Sequence, residues 1–532
     1  MKIVICDPIS PRGIALFQEQ SEFDVHVCEK PPGKDEEELI RLGADAVAMV
    51  VRSETKITEN VIKSCPSLKV VGRAGVGVDN VNVEAATANG VVVMNTPGGN
   101  TISTAELTFS MLMALARNIP QAHASMIAGE WARKQYKGTE ICNKTLGILG
   151  LGRIGAEVAK RAQVFGMKVV AYDPFLTHAR AQALGVELIE NLDDLYAVSD
   201  FITFHLHLTD ETRGMVNGEA FAKMKKGVRI LNCARGGIVD QDSLMEAIEN
   251  GQCAGAALDV YDVEPLPADH KLRSSEKIIM TPHLGASTAE AQDQCGLEVA
   301  ELLTDYLKNG VVRTAINMPS LDAQTYQQVK PYLSLGEKLG RLMGQLAPNR
   351  NDRVVISFGG KAADHPTDPV TRYLLKGFLE HAGGKDVNLV NVLSLAESLG
   401  LQVESVTSNE DVDYNEWLHV AVYSGDDKIS AGGTIIGKSQ QPRIVRLNGT
   451  PVEIEPQGVI LLVNNRDRTG IVGEIGTLMG KHEVNIANMT LARDHAGGTA
   501  LTVLNLDSVP PDSLLDELRQ DGDILSARVV NL

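Results

Sequence analysis

Three polar side chains in the middle of the chain could together bind a carboxylate and move a proton beside it. Arg235 carries a planar guanidinium whose paired N–H groups match the geometry of a carboxylate. His283 carries an imidazole, which titrates near neutral pH and can exchange a proton with a hydroxyl or carbonyl oxygen. Glu264 offers a carboxylate that would fix the tautomer of a neighbouring imidazole and favour its charged form.

Each of these residues follows a predicted parallel strand: Arg235 follows 228–231, Glu264 follows 255–258, and His283 follows 278–280. The carboxyl ends of parallel strands share one edge of a sheet, where ligands usually bind, so we expect the three side chains to meet. Each also has a simpler interpretation: Arg235 as a surface ion pair, Glu264 as a helix-start acid before a proline, and His283 as a hydrogen-bonded turn residue.

A glycine pattern with its full structural context precedes these strands. A predicted strand at Thr145–Leu149 enters the turn Gly150-x-Gly152-x-x-Gly155, a helix over 153–165 leaves it, and a strand over 167–172 ends in Asp173. This order is the dinucleotide-binding fingerprint, in which backbone N–H groups at the helix start meet the pyrophosphate and the acid binds a ribose hydroxyl. The alternative is a glycine turn that only joins a buried strand to a helix.

The acid also indicates which dinucleotide would bind. Asp173 is followed by Pro174 and Phe175, with no adjacent arginine for a 2′-phosphate, so NAD is favoured over NADP. Arg153 and Ile154 stand at the helix start that faces the pyrophosphate.

Alternating strands and helices predict an α/β fold of two doubly wound parallel-sheet lobes. The glycine pattern lies near residue 150, so a lobe precedes it, and a long helix from Thr288 to Leu307 could return to that lobe. The first lobe would then be discontinuous, with the dinucleotide-binding Rossmann lobe inserted into it and a ligand cleft between the two. The predicted bounds are 1–97 with 288–317 for the first lobe and 98–287 for the second.

Two further units follow. Residues 318–452 predict an α+β domain, in which Leu335, Leu339 and Leu342 lie on one helix face. Its Gly432-Gly433-Thr434 stretch predicts a hairpin or bulge rather than a phosphate loop. Residues 456–532 predict the order βαββαβ, which is the ferredoxin-like arrangement.

Composition limits the function further. The 532 residues carry a formal net charge of −18, which disfavours nucleic acid and anionic membranes as partners. No apolar run approaches the roughly 18 residues of a membrane span, and the first residues predict a strand rather than a signal peptide. The seven cysteines are dispersed without a CxxC pair, which is typical of reduced thiols in the cytoplasm.

Two other residue types, cysteine and histidine, could also take part in chemistry. A nucleophilic Cys233 is disfavoured, because a buried structural thiol is the common case and no base adjoins it in sequence. A metal site at His205 and His207 is disfavoured as well, because alternate residues of a strand face opposite sides.

The chain resembles the D-isomer-specific 2-hydroxyacid dehydrogenases in segments 71–80, 150–155, 232–240, 257–265 and 282–287. The resemblance implies that Arg235 binds the substrate carboxylate and keto oxygen, that His283 is the general acid and base, and that Glu264 hydrogen-bonds His283. It further implies NAD as cofactor, with contacts from Val76, Gly150, Gly152, Arg153, Ile154, Gly155, Asp173, Leu206, Cys233, Ala234, Asp259, Gly285 and Ala286. His207 departs from the family, which usually has proline there.

Within the family the chain resembles the long-form members, which oxidise 3-phosphoglycerate to 3-phosphohydroxypyruvate as the first step of phosphorylated L-serine biosynthesis. Matched substrate residues are Arg52, Ser53, Arg73, Gly75, Val76, Gly77 and Arg133, the last reaching in from a neighbouring subunit of a dimer or tetramer. Two alternatives stay open: a dehydrogenase for another D-2-hydroxy acid such as 2-hydroxyglutarate, and an NAD-sensing binding protein on the same fold.

The last unit resembles an ACT domain, a small amino-acid-binding regulatory module. The resemblance implies L-serine as an effector held by Asn465, Asp467 and Asn485, with Asn465 in the loop between the first strand and helix. Thr469 stands where the family commonly has proline. The alternative is a dimerisation module that binds no ligand.

Overall fold

A computed structural model describes residues 1–321, 323–347, 350–383, 387–408 and 414–532, and the described residues form four β-sheets. Two parallel sheets build the first part of the chain, and two mixed or antiparallel sheets build the second. The fold class expected from the sequence is confirmed.

The first lobe is a five-stranded parallel sheet with helices on both faces. Its strands are β1 (Lys2–Ile5), β2 (Asp24–Val27), β3 (Ala46–Val51), β4 (Val70–Arg73) and β5 (Val92–Asn95), in the order β2-β1-β3-β4-β5. Its helices are α1 (Pro11–Gln18), α2 (Glu36–Gly43), α3 (Glu59–Ser64) and α4 (Val83–Ala88). The central strands are almost continuously apolar because helices cover both faces of the sheet.

Polar side chains fix where these helices begin. The side chains of Ser10, Asp35, Thr58 and Asn82 each accept a hydrogen bond from a backbone N–H of the first turn. The acidic run at Glu36–Glu38 is thus the solvated first turn of a helix, where its charge complements the helix dipole.

The second lobe is a seven-stranded parallel sheet. Its strands are β6 (Thr145–Leu149), β7 (Lys168–Tyr172), β8 (Glu187–Leu188), β9 (Phe201–Phe204), β10 (Val228–Asn232), β11 (Cys253–Leu258) and β12 (Ile278–Met280), in the order β12-β11-β10-β9-β6-β7-β8. Its helices are α5 (Thr101–Arg117), α6 (Ile119–Ile127), α7 (Arg153–Val164), α8 (His178–Ala183), α9 (Leu192–Val198), α10 (Gly218–Lys223) and α11 (Gln241–Glu249). The sequence predicted six of these strands, and the two-residue β8 was missed.

The long helix α12 (Ala289–Asn309) returns to the first sheet. Its buried residues, including Val299 and Leu303, share a core cluster with Ile3 and Ile5 of β1. Gly13 of α1 lies so close to Gly296 that a Cβ would overlap the Gly296 carbonyl, so the two helices touch through their backbones. The chain therefore enters and leaves the second lobe through the region beside this helix.

The third unit packs two long helices on a six-stranded sheet. Its helices are α13 (Ala323–Leu346), α14 (Thr367–Gly383) and α15 (Val392–Ser398), and its strands are β13 (Arg353–Gly360), β14 (Gln402–Ser408), β15 (Glu416–Ser424), β16 (Asp427–Ile436), β17 (Gln441–Leu447) and β18 (Thr450–Ile454). The pairing of β16 with β17 shifts register between Gly432 and Gly433, so that stretch is a bulge within a strand.

The fourth unit is an antiparallel sheet with two helices on one face. It consists of β19 (Val459–Arg466), α16 (Ile471–Lys481), β20 (Ile486–Arg493), β21 (Thr499–Leu506), α17 (Asp512–Gln520) and β22 (Ile524–Asn531), with the strand order β20-β21-β19-β22. Its other face joins the core of the third unit, through Ile460, Leu462 and Val530. No helix in the described part of the chain is long and apolar enough to cross a membrane.

Candidate active site

A cleft of about 600 Å³ lies between the two lobes, at the carboxyl ends of their strands. Arg235 and His283 line it from the second lobe, and Arg73, Val76 and Gly77 line it from the first. Parallel strands in both lobes thus deliver their loops to one shared space, as expected for a ligand site in this class of fold.

His283 and Glu264 form the hydrogen-bonded pair that the sequence predicts. His283 Nδ1 lies 2.7 Å from Glu264 Oε2, and the backbone N–H of Tyr261 donates to Glu264 Oε1 over 3.0 Å. Burial acts to raise the pKa of Glu264, but the hydrogen bond and charge of His283 and the charge of Arg235 outweigh it, so the pKa is lowered. Glu264 is therefore an ionised partner that holds Nδ1 and leaves Nε2 of His283 for the substrate.

The turn that carries His283 is held in place by Asp259. Its carboxylate accepts hydrogen bonds from the backbone N–H groups of Leu284 (2.7 Å) and Gly285 (2.9 Å) and from the Thr281 hydroxyl (2.6 Å). His283 itself has a φ of +57°, a left-handed conformation that a residue with a Cβ adopts only when its surroundings impose it. Fully buried Asp259 thus fixes the turn that carries His283.

Arg235 reaches across the cleft to the first lobe. Its Nε lies 3.1 Å from Asp79 Oδ2, and its Nη1 donates to the carbonyl of Ala234 over 2.7 Å. A Cβ on Gly77 would overlap Nη2 of Arg235, so the glycine is required for the guanidinium to lie against this turn. The sequence offered no sign of the Asp79 contact beyond the presence of Asp79 in the 71–80 segment.

Arg73 is a second cation in the same part of the cleft. No residue in the described ranges accepts a hydrogen bond or forms an ion pair with its guanidinium, and its Nε is buried without a partner. Burial lowers the pKa of Arg73 to about 10, with a further contribution from the charge of Arg235. A largely buried guanidinium without an anion is a site for an anionic ligand.

The glycine turn fits a dinucleotide. Gly150 has a φ of +88°, and a Cβ on Gly155 would overlap the Gly150 carbonyl, so both positions need glycine. A Cβ on Gly152 would meet nothing within 4 Å, which leaves open space beside the N-terminus of α7 for a pyrophosphate. Asp173 stands next to this turn, because its Oδ2 accepts a hydrogen bond from Leu151 N over 2.9 Å.

Other predicted cofactor residues also border the cleft. Arg153, Ile154, Leu206, Cys233, Ala234, Asp259, Gly285 and Ala286 all line it. Burial raises the pKa of the Cys233 thiol to about 12, so this cysteine does not serve as a nucleophile. Burial lowers the pKa of His205 to about 3, and no group of three or more metal-binding side chains occurs among the described residues.

Four predicted substrate residues do not line this cleft: Arg52, Ser53, Gly75 and Arg133. Arg52 and Ser53 follow β3 at its rim, where Arg52 Nη1 donates to the Pro8 carbonyl over 3.4 Å and the Arg52 charge still acts on Arg73. The backbone N–H of Arg52 donates a hydrogen bond to Asp7 Oδ2, with 2.5 Å between nitrogen and oxygen. Arg133 lies exposed on the loop after α6, away from the cleft of its own chain.

The fourth unit departs from the expectation at Asn465. This residue lies inside β19 rather than in the following loop, and its buried side chain accepts a hydrogen bond from the Thr502 hydroxyl. Asp467 does lie in the loop, where it accepts from Gly497 N and pairs with Arg493 at 3.1 Å. Asn485 donates to Asp507 over 2.7 Å.

Several residues that line the cleft were not predicted from the sequence. They are Asp79, Asn95, Pro97, Asn100, Thr104 and the segment 313–316. The 313–316 segment follows α12 and pairs with β5, through an antiparallel bridge between Met94 and Ala315. No motif marks this segment, because it reaches the cleft only through its pairing with a distant strand.

The chain matches three family models in series. They are the NAD-binding domain of the D-isomer-specific 2-hydroxyacid dehydrogenases at residues 109–285, the intervening domain of D-3-phosphoglycerate dehydrogenase at 328–448, and the ACT domain at 459–523. A D-3-phosphoglycerate dehydrogenase of Methanocaldococcus jannaschii is 40% identical over the full length of both chains. The chain belongs to the D-3-phosphoglycerate dehydrogenase family.

Two further comparisons agree with this family. A D-3-phosphoglycerate dehydrogenase of Bacillus subtilis is 41% identical over 100% of this chain and 99% of its own. The crystal structure of an NAD-dependent formate dehydrogenase from Staphylococcus aureus in complex with NAD is 30% identical, with a TM-score of 0.54, and covers 60% of this chain and 100% of its own. The chain is therefore an NAD-dependent dehydrogenase of the D-2-hydroxyacid class.

Proposed function

We propose that this chain oxidises 3-phospho-D-glycerate at its C2 hydroxyl to 3-phosphohydroxypyruvate, reversibly, as the first step of phosphorylated L-serine biosynthesis. The observation that carries the proposal is the His283–Glu264 pair in one cleft with Arg235 and the unpaired Arg73. Such a set provides one acid–base group and two cations for a substrate that has a carboxylate and a phosphate. Full-length similarity to D-3-phosphoglycerate dehydrogenases supports this substrate.

The residues divide the chemistry between them. The guanidinium of Arg235 binds the carboxylate, and the backbone N–H groups of the turn around Val76 assist it. In the reducing direction, Nε2 of His283 donates its proton to the C2 oxygen while Glu264 stabilises the imidazolium before transfer. When bound, the cofactor would accept the hydride from C2 as NAD⁺ in the oxidation or supply it to C2 as NADH in the reduction. The turn around Gly150–Gly155, the start of α7 and Asp173 would hold the cofactor.

A direct assay tests this function. Purified protein with NADH and 3-phosphohydroxypyruvate should consume NADH, followed by its absorbance, and a small panel of other 2-oxo acids should react more slowly. Absence of turnover in protein that binds NADH would contradict a catalytic role. Faster reduction of 2-oxoglutarate than of the phosphorylated acid would favour the alternative D-2-hydroxy acid substrate.

The phosphate is the part of the substrate that Arg52, Ser53 and Arg73 would bind, with Arg133 from a neighbouring subunit. Replacing Arg52 with alanine is expected to raise KM for 3-phosphohydroxypyruvate about ten- to a hundredfold, because charged hydrogen bonds contribute about 1.5–3 kcal/mol. KM for glyoxylate, which lacks the phosphate, should change little. Steady-state kinetics on both acids measure the difference between the two KM changes.

Arg41→Ala is the matched control, because Arg41 lies in the same lobe and pairs with Glu38 away from the cleft. It should leave both KM values unchanged. Equal losses of Arg52→Ala on the two acids would argue against a phosphate-binding role for Arg52.

We infer that the protein is a homo-oligomer. Helix α6 and the loop after it expose Ile119, Met126, Ile127 and Trp131, the last at 78% of its surface. An apolar patch of this kind is typical of a protein interface, and Arg133, predicted to act on a neighbouring active site, adjoins it.

Replacing Trp131 with glutamate is expected to shift the protein toward smaller species, because a carboxylate would be buried at the interface. Light scattering after gel filtration measures the mass. Val509→Glu is the control, since Val509 is 67% exposed in the fourth unit. An unchanged mass for Trp131→Glu, or the same shift in both variants, would place the interface elsewhere.

We further propose the domain bounds and effector that the sequence suggested. Residues 1–97 with 288–317, 98–287, 318–452 and 456–532 correspond to the substrate, NAD, intervening and ACT domains, and the packing of α12 on the first sheet supports this division. L-Serine is the proposed effector of the ACT domain, through Asp467 and Asn485. We also propose a cytoplasmic location, which the seven free cysteines support.

A further inference from the structure

A second cavity, of about 340 Å³, lies between the first lobe and the third unit, away from the catalytic cleft. The first lobe contributes Lys69, Gly90, Val92 and Tyr306 to its wall. The third unit closes it through α13, α14 and the loop before α15, where Asn388 Nδ2 donates to the Gly90 carbonyl over 3.2 Å. This volume lies at the small end of ligand sites, which measure about 300–1,000 Å³.

The wall of the cavity is mostly apolar and contains three tyrosines, Tyr306, Tyr326 and Tyr373. Among the residues that the structure describes, none forms a hydrogen bond with a hydroxyl of these tyrosines. Burial raises the pKa of Tyr373 to about 12 and also raises that of Tyr306, so both hydroxyls stay neutral and can donate. Half-buried hydroxyls that lack a protein partner are available to a ligand.

The charged residues of the wall are all cationic. They are Lys69, Arg372 and Lys376, and no carboxylate lines the cavity among the described residues. Arg372 donates to the carbonyl of Leu389 over 3.0 Å, and Lys376 pairs with Glu337 at 2.8 Å, so both are already engaged. Lys69 at the exposed rim has no ion-pair partner in the described ranges. In a protein with a net charge of −18, an all-cationic wall favours an anionic ligand. Because Lys69 is the cation without an ion-pair partner in the described ranges, a ligand with a single negative charge would match it.

One segment joins this cavity to the catalytic cleft. Residues 313–316 line the cleft, and the following Met318, Pro319 and Leu321 line the cavity. Four hydrogen bonds join the segment to β5. Ile316 N donates to the Val93 carbonyl (2.8 Å), and Val93 N donates to Asn317 Oδ1 (3.0 Å). Asn95 N donates to the Thr314 carbonyl (3.4 Å), and the Thr314 hydroxyl donates to the Asn95 carbonyl (2.8 Å). A ligand that pushes on Met318 or Leu321 therefore acts on a segment that also forms part of the cleft wall.

We propose that this cavity is an effector site for a small monocarboxylate with an aromatic or branched apolar body. The apolar part packs among the tyrosines, and the carboxylate pairs with Lys69. Occupancy changes the affinity of the catalytic cleft for its 2-oxo acid through the 313–321 segment. The binding part of the proposal does not depend on which 2-oxo acid is the substrate.

Calorimetric titration of the full-length protein with 4-phenylbutyrate, in the presence of saturating NAD, tests the site. We expect one equivalent to bind per chain, and the neutral 4-phenylbutan-1-ol to bind at least tenfold more weakly. Lys69→Glu should weaken binding of the acid at least tenfold. Lys226→Glu, at an exposed lysine of the second lobe that forms no ion pair with the described residues, is the matched control and should not weaken it. Absence of binding, or binding that Lys69→Glu leaves unchanged, overturns the proposal.

A second variant and a kinetic measurement complete the test. Met318→Trp fills the cavity from the linker side and should abolish binding; if this variant does not fold, Lys69→Glu decides alone. Saturating 4-phenylbutyrate should change KM for the 2-oxo acid at least twofold in the unmodified protein and leave it unchanged in Lys69→Glu. Binding without any kinetic change overturns the assignment as an effector site.

Discussion

Replacement of His283 by alanine should lower kcat for 2-oxo acid reduction by a factor of about 10² to 10⁴, which is the usual contribution of a positioned general acid. The affinity for NADH should not change, because the cofactor-binding turn at Gly150–Gly155 lies on other strands of the sheet. In the variant, the proton that His283 normally supplies would have to come from water, which no imidazole holds in position. Single-turnover rates and NADH fluorescence titrations separate the two effects.

The matched control for His283→Ala is His178→Ala. His178 also faces a carboxylate, Glu190 at 3.2 Å, but lies on the outer surface of the second lobe. The His178→Ala enzyme should retain full kcat. A His283→Ala enzyme that keeps a tenth or more of its activity would show that another group supplies the proton.

Glu264→Gln refines the same prediction by changing the partner of His283. The pKa of Glu264 is lowered, so its carboxylate remains ionised across the neutral range and accepts a hydrogen bond from Nδ1 of His283. A glutamine side chain can turn its NH₂ group toward Nδ1 instead, and the ring would then no longer be held with Nε2 toward the substrate. Steady-state kinetics should therefore show a lower kcat for 2-oxo acid reduction, while NADH fluorescence titrations should show unchanged affinity. An unchanged kcat would mean that Glu264 does not position His283 for proton transfer.

Arg235→Ala is expected to have the second large effect, on kcat/KM for every 2-oxo acid. Removing one partner of a buried, hydrogen-bonded charge pair costs about 2–5 kcal/mol, which corresponds to a loss of roughly 30- to 5,000-fold. Arg235→Lys should recover only part of this loss, because an ammonium cannot reproduce the two-pronged contact with a carboxylate. Steady-state kinetics on a phosphorylated and an unphosphorylated acid measure both variants.

Arg180→Ala is the control for Arg235→Ala, since Arg180 is exposed on α8 and remote from the cleft. Added guanidinium ion should restore part of the activity of Arg235→Ala but not of His283→Ala. Losses confined to the phosphorylated acid would mean that Arg235 binds the phosphate rather than the carboxylate.

Local sequence was sufficient to predict most elements and to propose the catalytic set. The strand at Thr145–Leu149 and the helix after it were predictable because the glycine positions and the apolar periodicity act over a few residues. Arg235, Glu264 and His283 were predictable because each directly follows a parallel strand, and parallel strands of one sheet end at the same edge. The fold class alone was enough to predict that these side chains lie close together. The 2.7 Å contact between His283 Nδ1 and Glu264 Oε2 agrees with that prediction.

Contacts between distant segments were not predictable in the same way. The ion pair between Asp79 and Arg235 joins two lobes, and nothing in the order of residues sets the distance between those lobes. Asn465 was expected in a loop from the resemblance to an ACT domain, yet it lies in a strand, where the Thr502 hydroxyl compensates its burial. Arg52 was predicted from its match to the family, but its place at the rim of the cleft depends on the loop that Asp7 holds.

The sequence by itself therefore determined the fold class, the dinucleotide turn and the preference for NAD, and it predicted the acid–base set, because each depends on short-range patterns. Only the tertiary structure decided which charges face each other across the cleft, which cation is left without a partner, and that one segment lines both the cleft and a second cavity. These features depend on how α12 and the 313–321 segment pack against the first sheet. Such packing follows from the fit of whole surfaces rather than from local spacing.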